Sequence, residues 1–369
     1  MKRNVIALFV LAAAGVLVAG PLDPPAGPVV GTYKTLNEVE PRIAINATTT
    51  PGDADSVYRI AVRGSYYLTG NVTGVAAKHG IEIVASGVTV DLCGFDVTGV
   101  AGSLHGVSVT AASVNNVAVL NGSIHSWGGS GVNTASPAAT NCRLVDLRVY
   151  GCDGQGITTG PATEVSRCLV TQNTLIGITT STGCTVTGCT AYTNGGSGIF
   201  ANSGSTISDC TASDNTNNGI SAAQGCTVSH CTAYSNGGDG LTGINGCIIV
   251  DCSSRSNVGD GISVGTSCLV RSNACTANGS GAGDAAGIHA TGADNRIEGN
   301  ACTLADRGID VDVGGNFVTR NTCSGNTSNW ELVAGNACLV VNATLSPVIS
   351  GNSGGLAPGS TDPNANFSY

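Results

Sequence analysis

A chain of 369 residues with 54 glycines, 11% charged and 4% aromatic residues lacks the helix-forming side chains of bundles and coiled coils, while its 41% apolar fraction is too high for a disordered chain. Thr, Ser, Asn, Gly and Val abound, which argues for many short strands and turns. The formal charge of −9, without any basic stripe, excludes nucleic acid as a partner and repels acidic polysaccharides unless a cation bridges them.

Residues 1–20, MKRNVIALFVLAAAGVLVAG, place two cations before an uncharged run and end on small residues ahead of Pro21. That is the pattern of a cleaved secretory leader, and it falls short of the ~20 apolar residues of a membrane span. The expected location is secreted or cell-surface, with no transmembrane segment after cleavage. Residues 21–75 read as a Pro/Gly-rich tether and an N-terminal cap, with Tyr33, Tyr58, Tyr66 and Tyr67 concentrated in it. A cap is needed there because an open stack of strands exposes its edge.

From residue 76 to 345 a repeat takes over. Glycine followed by an aliphatic residue recurs at Gly80, Gly106, Gly131, Gly156, Gly177, Gly198, Gly219, Gly240, Gly261, Gly287 and Gly308. Most steps are 21 residues, and one more lands on Asn329-Trp330. The longer steps read as loop insertions, around Ser136-Pro137-Ala138-Ala139 and at residues 279–284.

With the glycine as position 0, other columns appear. Position 9 holds Val165, Val186, Ile207, Val228 and Ile249; position 12 holds Cys168, Cys189, Cys210, Cys231 and Cys252. Position 7 holds Cys184, Cys226, Cys247 and Cys268, and position 17 holds Asn173, Asn194, Asn215, Asn236, Asn257 and Asn278. Positions 1, 3, 7 and 9 alternate with period two and share the inner face of short strands. One unit cannot bury that face, but stacked units bury a continuous core. About 12 coils at ~4.8 Å would form a rod roughly 55–60 Å long. The Asn column is expected at the bend itself, in the left-handed backbone conformation that Asn tolerates. Residues 346–369 read as a C-terminal cap or tail.

Units such as TVTGCTAYTNGGSGI, TISDCTASDNTNNGI and TVSHCTAYSNGGDGL, with the lead-in GVTVDLCGFDVTG, resemble right-handed parallel β-helix proteins of the pectate-lyase type. The resemblance covers about residues 60–345. It implies an all-β, single-stranded parallel β-helix, which hosts lyases, hydrolases, epimerases, adhesins and plain surface repeats. The Asn-Thr-Asp, Asp-Asp, Gly-His-Gly and Arg-Ile-Lys motifs of the polygalacturonase-like enzymes do not occur, so no catalytic residue carries over.

Sixteen Cys in an exported chain first suggest disulfides. Side chains in adjacent coils, however, stand parallel and ~4.8 Å apart, wide of disulfide geometry. The columns read instead as stacked small hydrophobes, reduced and inert.

Three outward groups carry chemistry. Asp209, His230 and Asp251 share position 11 on consecutive coils, either as acid/base or substrate-binding groups or as a charge-alternating ladder. Asp239 and Asp260 precede their glycines, while His289 and Asp310 share position 2, with Asp312 and Arg307 close by in sequence. Carboxylates about 5 Å apart suit a retaining glycosidase or a calcium site. His289, Asp310, Asp312 and Arg307 are then the catalytic candidates, and Asp239 and Asp260 the substrate contacts. Turn chemistry, for Asp239 and Asp260, and a solvated charged face, for the His289 group, are the plainer explanation of the same residues. Finally Thr185/Thr187, Thr206/Ser208 and Thr227/Ser229 form an outward array suited to ice or a crystalline sugar surface. The reading that results is an exported, monomeric, non-catalytic surface or matrix protein recognising carbohydrate. It needs no metal or cofactor, calcium being the one ion in question. The alternative is a polysaccharide-active lyase or glycosidase using the later-coil Asp/His group.

Overall fold

The computed structural model describes residues 41–135, 139–279, 285–343, 349–350 and 363–368. The leader, most of the tether, the insertion at residues 280–284 and much of the tail lie outside the described residues.

Each coil lays down three short strands. In one coil these are Ile178–Thr180, Thr185–Thr187 and Thr190–Tyr192; in the next, Ile199–Ala201, Thr206–Ser208 and Thr211–Ser213. First strands stack into a 13-stranded sheet, and the second and third strands of the coils belong to a 27-stranded sheet. Coil-to-coil pairing is parallel and in register, as in Val186↔Ile207 and Ile207↔Val228. The register survives the long steps, since Val107 pairs with Val132 and Ile262 with Ile288. The fold is an all-β parallel solenoid of about 14 turns, close to the twelve expected from the repeat.

An extra turn lies before the expected boundary at residue 76. Ser56–Ile60, Gly64–Tyr67 and Val72–Thr73 pair in parallel with His79–Ile83, Val88–Asp91 and Asp96–Thr98 and complete a coil of their own. Its position 0 is Val57, so the glycine signature does not mark it. Tyr66, expected in a cap, is buried in this coil and donates its hydroxyl to Val62 O at 2.7 Å. Trp127 fills the interior of the early coils, with its indole N–H on Val97 O at 3.0 Å. Gly80 must be glycine there, because a Cβ would lie 2.8 Å from the Trp127 ring.

The corners differ from expectation in one respect. The left-handed residue is the one before the Asn: Thr193, Asp214 and Ser235 have φ of 53°, 52° and 52°. The Asn that follows points inward and is buried. Asn236 Oδ1 accepts the backbone N–H of Asn215 at 3.1 Å and its Nδ2–H at 3.0 Å, while Asn215 Nδ2 also donates to Ala191 O at 3.1 Å. The amide therefore satisfies a backbone donor that the corner would otherwise bury unpaired, and such an orphan costs about 1–3 kcal/mol.

The Cys columns do the same work, which corrects their reading as mere hydrophobes. Cys231 N–H donates to Cys252 Sγ at 3.4 Å, and Cys252 N–H to Asn273 Oδ1 at 2.9 Å. At position 7, Cys184 N–H donates to Ser205 Oγ at 3.1 Å and Cys268 N–H to Asn295 Oδ1 at 2.8 Å. Thiol, hydroxyl and amide thus alternate in one role. All sixteen cysteines are free thiols.

At the far end, Asn366–Ser368 pairs in parallel with the coil strand Thr322–Ser324. Asn366 Oδ1 takes the Asn321 N–H at 2.9 Å, extending the column Asn273, Asn300, Asn321 by one rung.

Candidate functional site

The 13-stranded sheet turns position 2 outward on every coil. Pairing links Arg59, Glu82, Ser108, Asn133, Thr158, Thr179, Phe200, Ser221, Thr242, Ser263, His289, Asp310 and Glu331 into one column. From Asn133 to Ser263 the column is uncharged and half-buried, with Phe200 as its one aromatic side chain. Charges gather at its two ends, and the Arg59–Glu82 pair at 3.2 Å closes the first of them.

The second end is the group anticipated from sequence. Strand register sets His289 beside Asp310, and Asp260 approaches from the residue before its coil's glycine. His289 Nδ1 lies 2.9 Å from Asp260 Oδ2, and Nε2 lies 3.1 Å from Asp312 Oδ2 and 3.9 Å from Asp310 Oδ2. Arg307 Nη1 donates to Asp310 Oδ2 at 2.6 Å, and its Nε lies 2.7 Å from Glu331 Oε2. Glu331 is a member that the sequence reading missed. It continues the position-2 column, which the 21-residue period could have revealed.

The electrostatics follow from this packing. The hydrogen bond to Asp260 pushes His289 up to about 9 against the opposing effect of burial. At neutral pH the ring is therefore an imidazolium with both N–H groups directed at carboxylates. Asp260 is itself buried, and its Oδ1 accepts the Ala286 N–H at 2.7 Å. Asp239 Oδ1 accepts the Asp260 N–H at 2.8 Å, as Asn218 Oδ1 accepts that of Asp239 at 2.9 Å. Asp239 and Asp260 thus also carry a turn ladder. Burial first, and then the neighbouring Asp260, raise the Asp239 carboxyl above its ordinary range.

His289, Asp310 and Asp312 bring ligand atoms within 4.8 Å of one another. Ca²⁺ takes oxygen ligands, so of these three only Asp310 and Asp312 offer it suitable atoms.

Asp209, His230 and Asp251 are not brought to this cluster. They occupy another corner of the coil, between its second and third strands, with left-handed φ of 56°, 53° and 55° and exposed side chains. Their column is a corner position, and Asp146 and Arg167 at the same position form a bidentate ion pair at 2.7 and 2.8 Å. Beside the His289 cluster lies a shallow cavity of about 430 Å³, lined by Thr242, Asn245, Ser263, Thr266 and Thr291 among others. Its hydroxyl and amide groups went unnoticed in the sequence because they come from three coils.

The model of the right handed beta helix region matches residues 79–228 and 176–301, together more than half of the chain. The chain belongs to that family, which makes the solenoid a right-handed parallel β-helix. No curated protein matches it. Among solved structures, it is similar to the A-module of mannuronan C-5 epimerase AlgE4 from Azotobacter vinelandii, with a TM-score of 0.61 and 14% identity over 74% of this chain and 90% of that one. The AlgE6 A-module from the same organism gives 0.61 and 16% identity over 75% and 89%. At such identities the likeness is one of fold. Among the described residues, no helix is long and apolar enough to cross a membrane.

Proposed function

We propose that this is an exported, non-catalytic β-helix protein that recognises a neutral polysaccharide on the outer face of its 13-stranded sheet. The observation that carries the reading is the uncharged column from Asn133 to Ser263, a file of hydroxyl side chains that starts at the Asn133 amide and has Phe200 in its middle. An aromatic ring among hydrogen-bonding groups matches the two-sided character of a sugar, with apolar C–H faces and a polar rim. The hydroxyl-lined cavity at Thr242, Ser263 and Thr291 prolongs that surface. Two proteins of similar fold are named for a polysaccharide, mannuronan, which supports a polysaccharide partner but, being a polyuronate, not its lack of charge. The acidic balance of this chain favours an uncharged one.

The non-catalytic half of the reading rests on the cluster itself. His289 is paired with Asp260 and Asp312 and Arg307 with Asp310, a closed set of ion pairs that favours a structural role for these groups. The rival lyase or glycosidase reading draws on Asp239, whose raised carboxyl is the property of a proton donor.

Binding of full-length protein to a glycan array, with and without calcium, decides between them when retention, new reducing ends and unsaturated product are all read. The expected result is calcium-independent retention without product. Phe200→Ala should weaken retention about tenfold, equivalent to ~1.4 kcal/mol. Turnover that disappears in the double variant His289→Ala, Asp310→Asn would overturn the non-catalytic reading. Export is tested by N-terminal sequencing of protein from the medium, which should begin near Pro21.

A further inference from the structure

The third strands present a second regular surface. Their register aligns Tyr150, Thr171, Tyr192, Ser213 and Tyr234 in one outward column. A tyrosine thus stands on every second rung, about 9.6 Å apart at ~4.8 Å per strand. The three are 37%, 44% and 45% exposed, while the core beneath is already filled by Ala191, Ala212 and Ala233. Packing therefore does not explain them. The neighbouring outward column, two residues away on the same face, runs Leu169, Thr190, Thr211 and Thr232. Between the Leu169 and Thr232 rungs neither column carries a charge, while Arg148 stands on the Tyr150 rung and Arg255 on the rung after Tyr234.

We infer that this strip is a docking surface for an extended β-1,4-linked glucan lying along the solenoid axis. In such a ribbon each sugar is turned over relative to the last, so the same face returns at every second residue. A row of aromatic rings on alternate rungs meets that period, and the small side chains of Thr171 and Ser213 leave room for the rings to lie against the strip. Tyrosine supplies an amphipathic plate at low conformational cost, with its ring on the C–H face of the sugar and its hydroxyl toward the rim. The flanking threonine column offers hydroxyls in register. The rungs between Arg148 and Arg255 carry no charge, which fits an uncharged polymer. At the first rung His125 stacks on Tyr150, with ring centroids 4.5 Å apart at an interplanar angle of 11°, and holds that end of the row. The inference deepens the carbohydrate reading by naming a polymer, and it uses a different face from Phe200.

The test is sedimentation of full-length protein with microcrystalline cellulose, with chitin as a parallel arm. Wild type should be retained on cellulose, and Tyr192→Ala with Tyr234→Ala should reduce retention at least tenfold. Tyr192→Phe with Tyr234→Phe should keep most of it, and Val62→Ala, at an exposed apolar side chain away from both faces, should leave it unchanged. All variants should melt like wild type, because the changed side chains are exposed. Undiminished retention in the double alanine variant overturns the inference, as does retention on chitin but not on cellulose. Loss of cellulose binding in wild type alongside Phe200-dependent retention on the glycan array would sink this surface and leave the broader reading standing.

Discussion

At the scale of single residues, His289 shows how position rather than type sets chemistry. Its ring is half-buried, which alone would favour the neutral form, yet Asp260 and Asp312 hold it charged. Its folded value of about 9 exceeds the ~6.5 of an unfolded histidine, so the charged ring stabilises the fold. That contribution is fully present below pH ~6.5 and is lost as pH rises through about 9. It amounts to at most ~3 kcal/mol, less whatever solvent screens at the exposed Asp312. The melting temperature should therefore fall between pH 6.5 and 9, and His289→Gln should flatten that fall; identical pH profiles for the two proteins would contradict the network. Histidine and its partners were legible as a cluster from the 21-residue period. The protonation state was not, because it depends on which ring nitrogen meets which carboxylate.

At the scale of the coil, the unit of construction is a corner. A left-handed residue turns the chain, and the next side chain points inward to accept a backbone N–H of the preceding coil. Asn215 takes the Asn194 N–H at 3.0 Å, so Asn215→Val leaves that donor buried and unpaired. A loss of about 2–3 kcal/mol is expected from chemical denaturation. Asn215→Cys should cost less, since thiols fill the equivalent place at the next corner. Equal destabilisation by the two substitutions would refute the ladder as the reason for the column. The columns of Asn and Cys were visible in the sequence, and so was their inward or corner setting. Their shared role was not, because a donor and its acceptor lie 21 residues apart and only stacking joins them. The coil at residues 56–75 escaped notice for a related reason. It has strands and inward residues of the right kind, but Val57 stands where other coils place glycine.

At the scale of the whole molecule, the stacked interior protects its thiols. Fourteen of the sixteen cysteines are buried, Cys338 is partly covered and Cys93 is exposed. Burial pushes Cys152 and Cys338 up to about 11, so neither is a thiolate at neutral pH. An aromatic disulfide reagent at pH 8 should label Cys93 rapidly in the native protein and reach all sixteen only after denaturation. Fast labelling of several thiols in the native state would mean that the coils open. The same stacking builds both faces proposed for carbohydrate. Phe200 and the three tyrosines look scattered along the chain, yet each stands in a straight file once strand register is known.

By itself the amino-acid sequence determined the winding: a 21-residue period of glycine, aliphatic and small polar residues can bury its apolar positions only by stacking on copies of itself. It also determined which side chains share a rung position, including His289 with Asp310. The tertiary structure alone decided which of those groups touch and where the first coil begins. The physical reason is that periodicity specifies a side chain's height and face along the solenoid, whereas hydrogen bonds and charge states depend on ångström-scale approach between coils.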